Sequence, residues 1–266
     1  MLRSALFAAA ALALPQSAGA AVPAGYDLVW ADEFNTDGLV DPAKWSYDTE
    51  ANRTGWYNNE KQYYAVERPE NARVEDGRLI ITARTERLTD KADYGGQDYS
   101  SARIITRGKA SWQYGFYEIR AKLPCGKGSW PAIWMLGTTG GHPDGGEIDI
   151  MEHVGMDPEW IYGTIHNRAT VGTHGDGGKT PAGKACSDFR RYQLTWTPEA
   201  LEIGVDDQVF HRYERKGKAA AGWPFNKPQY LLLNLAVGGE MAGAVDDKIF
   251  PIQFEVDYVR VYQKKP

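Results

Sequence analysis

Cysteine, basic excess and long apolar runs are all scarce in this 266-residue chain, and each shortage closes off a class of function. The two cysteines, Cys125 and Cys186, are too few to define a zinc site. In an oxidising compartment an even pair invites a disulfide, with two separate buried thiols as the alternative. Lys and Arg number 30 against 35 Asp and Glu, a formal charge of -5, and the cations are scattered, so no basic face offers itself to nucleic acid. Beyond residue 20 no stretch approaches the roughly 20 apolar residues of a membrane span. There is no helical pattern of about 12 or more residues, no internal repeat and no Pro/Ser linker.

What is present begins with a leader. Arg3, the apolar run 6–14 and the small residues Ala18-Gly19-Ala20 read as a signal peptide over residues 1–20. The remainder, 21–266, is expected to be exported, to the periplasm or outside the cell, as a single domain. Its texture is that of an all-β protein: short runs of Val, Ile, Tyr, Trp and Thr broken by Gly, Pro, Asn and Asp. Strands are predicted at 26–30, 72–74, 79–84, 101–107, 112–123, 132–136, 147–154, 160–166, 191–197, 200–205, 208–213, 229–236 and 254–263. In 117–123, Tyr117, Ile119, Ala121 and Leu123 alternate with Glu118, Arg120 and Lys122, which predicts one dry and one wet face. The expected architecture is a β-jelly-roll sandwich of two antiparallel sheets with a concave substrate cleft, and the Gly-rich spans 172–183 and 216–222 are expected to be surface loops.

The chemistry concentrates in Glu147-Ile148-Asp149-Ile150-Met151-Glu152. In a flat strand Glu147 and Asp149 share a face, whereas Glu152, five positions on, points away. A β-bulge around Ile150-Met151 would return Glu152 to that face, about 13 Å from Glu147 between α-carbons at ~3.3 Å per step. Two glutamates leaning together can then approach the ~5 to 5.5 Å of a retaining glycosidase pair, against ~6.5 to 9.5 Å for an inverting one. A merely solvated acidic strand is the other reading. Three like charges on one face repel and raise at least one pKa, however, and a fold gains nothing from stacking them.

The chain resembles the laminarinase-like members of glycoside hydrolase family 16. The likeness is carried by Trp30-Ala31-Asp32-Glu33-Phe34, Asn58-Asn59-Glu60 with Gln62-Tyr63-Tyr64, Ser101-Ala102-Arg103, residues 128–136, 146–152, Leu233-Asn234-Leu235-Ala236-Val237-Gly238-Gly239 and Val256-Asp257-Tyr258-Val259-Arg260-Val261-Tyr262. The hexad has the bulged E-x-D-x-x-E form, not the regular E-x-D-x-E form of lichenases. The resemblance implies that 21–266 is a single glycoside hydrolase catalytic domain, an endo-β-1,3-glucanase acting on laminarin-like or mixed-linkage β-glucan by retaining double displacement. It implies Glu147 as nucleophile, Glu152 as acid/base and Asp149 as the residue that holds and tunes the nucleophile.

Sugar rings need aromatic platforms beside polar groups. Trp130 and Trp134, four apart at the start of a strand, supply the platforms, and His166, Arg103, Asn58 and Asn234 match polar positions of the family cleft. Trp112 and Trp223 are assigned to the core or rim. No cofactor is implied for catalysis. The resemblance does imply a structural Ca2+ away from the cleft, with Asp257 and a main-chain oxygen near Glu33 as ligands. The expected partner is β-glucan, with neither nucleic acid nor membrane, and the expected state is a monomer. Gly238-Gly239 leads into Glu240-Met241 where many relatives have Trp, which leaves one subsite open. Two rivals remain: a galactan hydrolase of agar or carrageenan type, and a β-glucan-binding protein that does not cut, although such proteins usually lack the catalytic acids present here.

Overall fold

In the computed structural model, which describes residues 22–171 and 173–265, the β-branched and aromatic runs form seventeen strands. The leader read at 1–20 lies outside the described residues. In chain order the strands are β1 (Tyr26–Asp32), β2 (Ser46–Tyr47), β3 (Gln62–Tyr64), β4 (Ala72–Glu75), β5 (Arg78–Thr85), β6 (Tyr99–Ser101), β7 (Arg103–Ile105), β8 (Gly115–Lys122) and β9 (Ser129–Gly137). They continue with β10 (Glu147–Glu152), β11 (Trp160–His166), β12 (Asp176–Pro181), β13 (Arg190–Trp196), β14 (Ala200–Val205), β15 (Gln208–Glu214), β16 (Gln229–Val237) and β17 (Ile252–Lys264). The one α-helix among the described residues, α1 (Gly239–Ala242), is a single turn.

These strands stack as two open sheets, the jelly-roll sandwich that the sequence predicts. One runs β15-β14-β13-β8-β17-β5-β6-β3, with β1 also on β17 and β4 on β5. The other runs β12-β11-β10-β9-β16-β7-β2. Among the described residues the strands pair antiparallel except β3 with β6, which run parallel. Between the sheets lies a continuous core in which Tyr117, Ile119 and Leu194 from one side meet Ile133, Met135, Ile148 and Leu233 from the other.

Several expectations are corrected. The span 172–183 is not only loop, because 176–181 form the edge strand β12. Its glycines serve close packing: a Cβ on Gly177 would meet the Gly163 carbonyl oxygen at 2.7 Å, and one on Gly178 would meet His211 Cβ at 3.1 Å. The strand expected over 101–107 is divided at Ala102, where the chain leaves one sheet for the other: β6 belongs to the ten-stranded sheet and β7 to the seven-stranded one. Trp112 makes only an isolated bridge to Gln229 ahead of β8. The outward face of β8 is not uniformly wet either. Glu118 is buried beneath its cross-strand neighbours, accepting hydrogen bonds from Tyr258 Oη at 2.7 Å and Gln193 Nε2 at 2.8 Å. Cys125 and Cys186 are joined, with α-carbons 5.6 Å apart, which ties the β8–β9 connection to the segment before β13.

Candidate active site

The acidic hexad is β10, flanked by β9 and β11 in the middle of the seven-stranded sheet. Against β9, Asp149 pairs with Trp134 and Met151 with Ile133, so Ile150 is the extra residue of a bulge. The same irregularity appears against β11, where Asp149 faces Thr164 and Glu152 faces Tyr162. Ile148, Ile150 and Met151 all enter the core, fully buried. Glu147, Asp149 and Glu152 are thereby left on the outer face, as the spacing predicts. Two adjacent apolar residues, both buried, fix the position of the bulge.

On that face the acids are crowded. Burial, and after it repulsion from Asp149, pushes the Glu147 carboxyl well above its ordinary range, while His166 opposes the shift. Asp149 is also pushed well above its ordinary range, by burial and by Glu152. Glu152 is raised by burial; the Trp130 hydrogen bond and His166 oppose this, and Glu60 adds to it. All three shifts run in the direction that disfavours full ionisation of the cluster, as acid/base chemistry requires. Each of the first two acids has an imidazole beside it: His142 Nε2 lies 3.2 Å from Glu147 Oε2, and His166 Nε2 lies 3.2 Å from Asp149 Oδ2.

Along β9 the alternation places Trp130 and Trp134 on the acid-bearing face. Trp130 donates its indole N–H to Glu152 Oε1 at 3.0 Å. Trp134 donates to Asn234 Oδ1 at 2.7 Å, and Asn234 Nδ2 in turn donates to Tyr64 Oη at 3.0 Å, so both ends of this amide are engaged. Arg103 is nearly buried, its guanidinium 4.5 Å from the Trp134 ring centroid and 5.1 Å from that of Trp56, with Nε 3.2 Å from Asp48 Oδ2. Asn58 is exposed on a left-handed turn with φ 56° and hydrogen-bonds Glu60. Trp112 and Trp223 lie in the core.

Sequence reasoning missed His142 and Asp48, and met Glu60 and Tyr64 only inside motif segments, without assigning them a role. Burial raises the Glu60 carboxyl, and Gln62 and Arg103 oppose the shift. His142 stands five residues before the first glutamate, in Gly140-Gly141-His142-Pro143-Asp144-Gly145-Gly146, and proximity to the hexad was the available signal. At the far edge of the face, Trp160 of β11 lies under the Lys179 ammonium of β12, 4.2 Å from the ring centroid.

The residues proposed for calcium sit elsewhere and are already engaged. Asp257, the extra residue of a bulge in β17, pairs with Arg120 at 2.5 Å. Glu33 is gripped by Arg260 through two hydrogen bonds of 2.7 and 2.9 Å. As arranged, the Asp257 carboxylate is therefore held by Arg120, while the Arg260 clamp engages only the Glu33 side chain and not the main-chain oxygen that the calcium reading invokes. Among the described residues, two groups bring three potential metal donors within 4.8 Å of one another. Glu147, Asp149 and His166 are the acid cluster itself, and Cys125, Cys186 and His153 are closed by the disulfide.

A family model described as glycosyl hydrolases family 16 matches residues 59–260. A β-glucanase of Rhodothermus marinus is 49% identical over 253 residues, spanning 90% of this chain and 85% of its own. Among solved structures, a mutant of SCLam, a non-specific endo-β-1,3(4)-glucanase presenting 1,3-β-D-cellobiosyl-glucose at its active site, superposes with a TM-score of 0.89 at 54% identity, over 92% of this chain and 97% of that one. The laminarinase of Rhodothermus marinus superposes with a TM-score of 0.84 at 47% identity, over 91% and 98%.

Proposed function

The chain belongs to family 16 of the glycosyl hydrolases, and from that premise we propose that it cleaves internal β-1,3-glucosidic bonds of laminarin-like and mixed-linkage β-glucans by retaining double displacement. The observation that carries this reading is the bulge at Ile150, which turns Glu147, Asp149 and Glu152 to one open face beside Trp130 and Trp134.

Glu152, whose proton affinity is raised by burial, gives its proton to the departing glycosidic oxygen. Glu147 attacks the anomeric carbon as that bond breaks and becomes a glycosyl ester. The positive charge developing on the sugar favours the ionised nucleophile that crowding alone disfavours. With the ester formed, one negative charge leaves the cluster, and Glu152 takes a proton from water, which attacks the same carbon from the face the leaving group vacated. Asp149 sits between the two glutamates in sequence, with His166 at 3.2 Å, and holds the nucleophile. Trp130 serves both as a platform and as a donor to the acid/base. Arg103 and Asn234 brace Trp134 as a sugar platform, and Asn58 lies on the exposed turn that carries Glu60.

Reducing-sugar release from laminarin and mixed-linkage glucan, with none from agarose, is the expected result; the reverse pattern would assign a galactan. Binding of laminarin without cleavage would favour a glucan-binding role. Glu147→Gln is expected to abolish turnover. We further propose export directed by residues 1–20, tested by the N-terminal sequence of secreted protein, and a monomeric state, tested by light scattering. Calcium at Asp257 would have to displace Arg120; a calcium-dependent rise in Tm that Asp257→Ala removes would establish such a site.

A further inference from the structure

The segment 138–146 joins β9 to β10 and delivers His142 to Glu147. It is folded back on itself and pinned. Gly145 N donates to the Gly141 carbonyl at 2.5 Å, Gly146 N to Pro143 at 3.1 Å, and Gly137 N to Gly146 at 3.2 Å. Side chains are excluded where it packs: a Cβ on Gly145 would meet the Thr139 oxygen at 2.7 Å, and one on Gly146, at φ 76°, would strike the Phe225 ring at 2.6 Å. From outside, Asp144 is clamped by Arg168 through hydrogen bonds of 2.7 and 2.5 Å, which ties the segment to the turn after β11. His142 is therefore presented from a fixed support. Its ring meets that of His166 edge-on, with centroids 6.5 Å apart, and its Nε2 is 3.2 Å from Glu147 Oε2.

We propose that His142 is a further positioning residue of the nucleophile, alongside Asp149: a neutral imidazole whose Nε2–H is donated to Glu147 Oε2 so that the other carboxylate oxygen faces the anomeric carbon. The inference rests on the assignment of Glu147 as nucleophile. Burial, and after it the neighbouring His166, lowers the proton affinity of His142 and favours the neutral donor over an ion pair that would blunt the carboxylate. At 3.2 Å the Nε2–Oε2 pair lies within the heavy-atom reach of an N–H···O hydrogen bond. In the first chemical step the C1–O bond to the leaving group breaks, Glu152 protonates that oxygen, and Glu147 Oε1 bonds to C1. Glu147 Oε2 becomes the ester carbonyl and stays on the His142 N–H, which polarises the ester for attack by water.

The test follows the covalent step directly, using a 2-deoxy-2-fluoro-β-laminaribiosyl fluoride and mass spectrometry of the labelled peptide. The wild type, His142→Ala and His142→Gln are compared for labelling rate and for kcat and KM on laminarin. Label on Glu147 is expected in all three. His142→Ala should label about 10- to 100-fold more slowly, the worth of one hydrogen bond to a charged group, with KM little changed. His142→Gln keeps an N–H at similar reach and should recover most of the rate. Equal rates in all three, a loss that Gln does not recover, or an effect confined to KM overturns the positioning role. Label on a residue other than Glu147 overturns the nucleophile assignment itself and the inference with it.

Discussion

Asp48→Ala probes how the polar frame behind the sugar platforms is held together. Arg103 and Asp48 are 9% and 8% exposed in their side chains and 3.2 Å apart, with the guanidinium lying between Trp56 and Trp134. At an effective dielectric of ~20 their attraction is about 5 kcal/mol, consistent with the ~3 to 5 kcal/mol lost when one partner of a buried pair is removed. Glu60 also attracts Arg103, which places the expected loss near the lower end, about 3 kcal/mol. For a domain of this size that is a fall in Tm of about 6 to 12 °C. Asp48→Leu combined with Arg103→Met replaces both charges with apolar volume and should recover all but ~1 kcal/mol. The double variant should nevertheless show a raised KM for laminarin, because Trp134 has lost its cationic neighbour. Calorimetry and steady-state kinetics on the three proteins separate the two effects. A fall of less than ~2 °C in Asp48→Ala, or a double variant no more stable than the single, would refute the buried-pair reasoning.

Three further outcomes are expected. Trp130→Phe removes the donor that lowers the Glu152 pKa, so the basic limb of kcat/KM against pH should move to higher pH; an unmoved limb would show that the 3.0 Å hydrogen bond does not tune the acid. The Glu147 carboxyl binds its proton more tightly folded than unfolded, so stability falls as pH rises above the ordinary glutamate value of 4.5. Glu147→Gln should therefore melt higher than wild type at neutral pH, with the gap closing below 4.5, and a pH-independent gap in calorimetry would contradict the burial argument. Replacing Cys125 and Cys186 by Ser opens a loop of 61 residues and should cost about 4 kcal/mol in the chain-entropy model, read as a lowered denaturation midpoint; no change would mean the cross-link constrains nothing.

The bulge was legible in the sequence because it is a parity argument: an odd spacing between acids that must share a face leaves one residue over, and Ile150 is that residue. Trp130 and Trp134 were legible for the same reason, two even steps on one strand. The sheet change at Ala102 was not, since 101–107 reads as one short β-prone run and periodicity cannot reveal which sheet a residue joins. Glycines misled at Gly177 and Gly178, where they mark close approach of neighbours and not a free loop. Glu60 and Asp48 were hidden because each looks like an ordinary polar residue until Arg103 and Tyr64 are brought beside it from distant parts of the chain. His142 escaped because a Gly-rich turn reads as punctuation, whereas this one is hydrogen-bonded within itself and packed at Gly146 against Phe225.

The central claim is that one bulge turns two glutamates into a retaining pair. Proton NMR of laminarin hydrolysis during the first turnovers tests it most directly. Initial appearance of the β-anomer at the new reducing end, followed by mutarotation, is the predicted result; initial appearance of the α-anomer would contradict it.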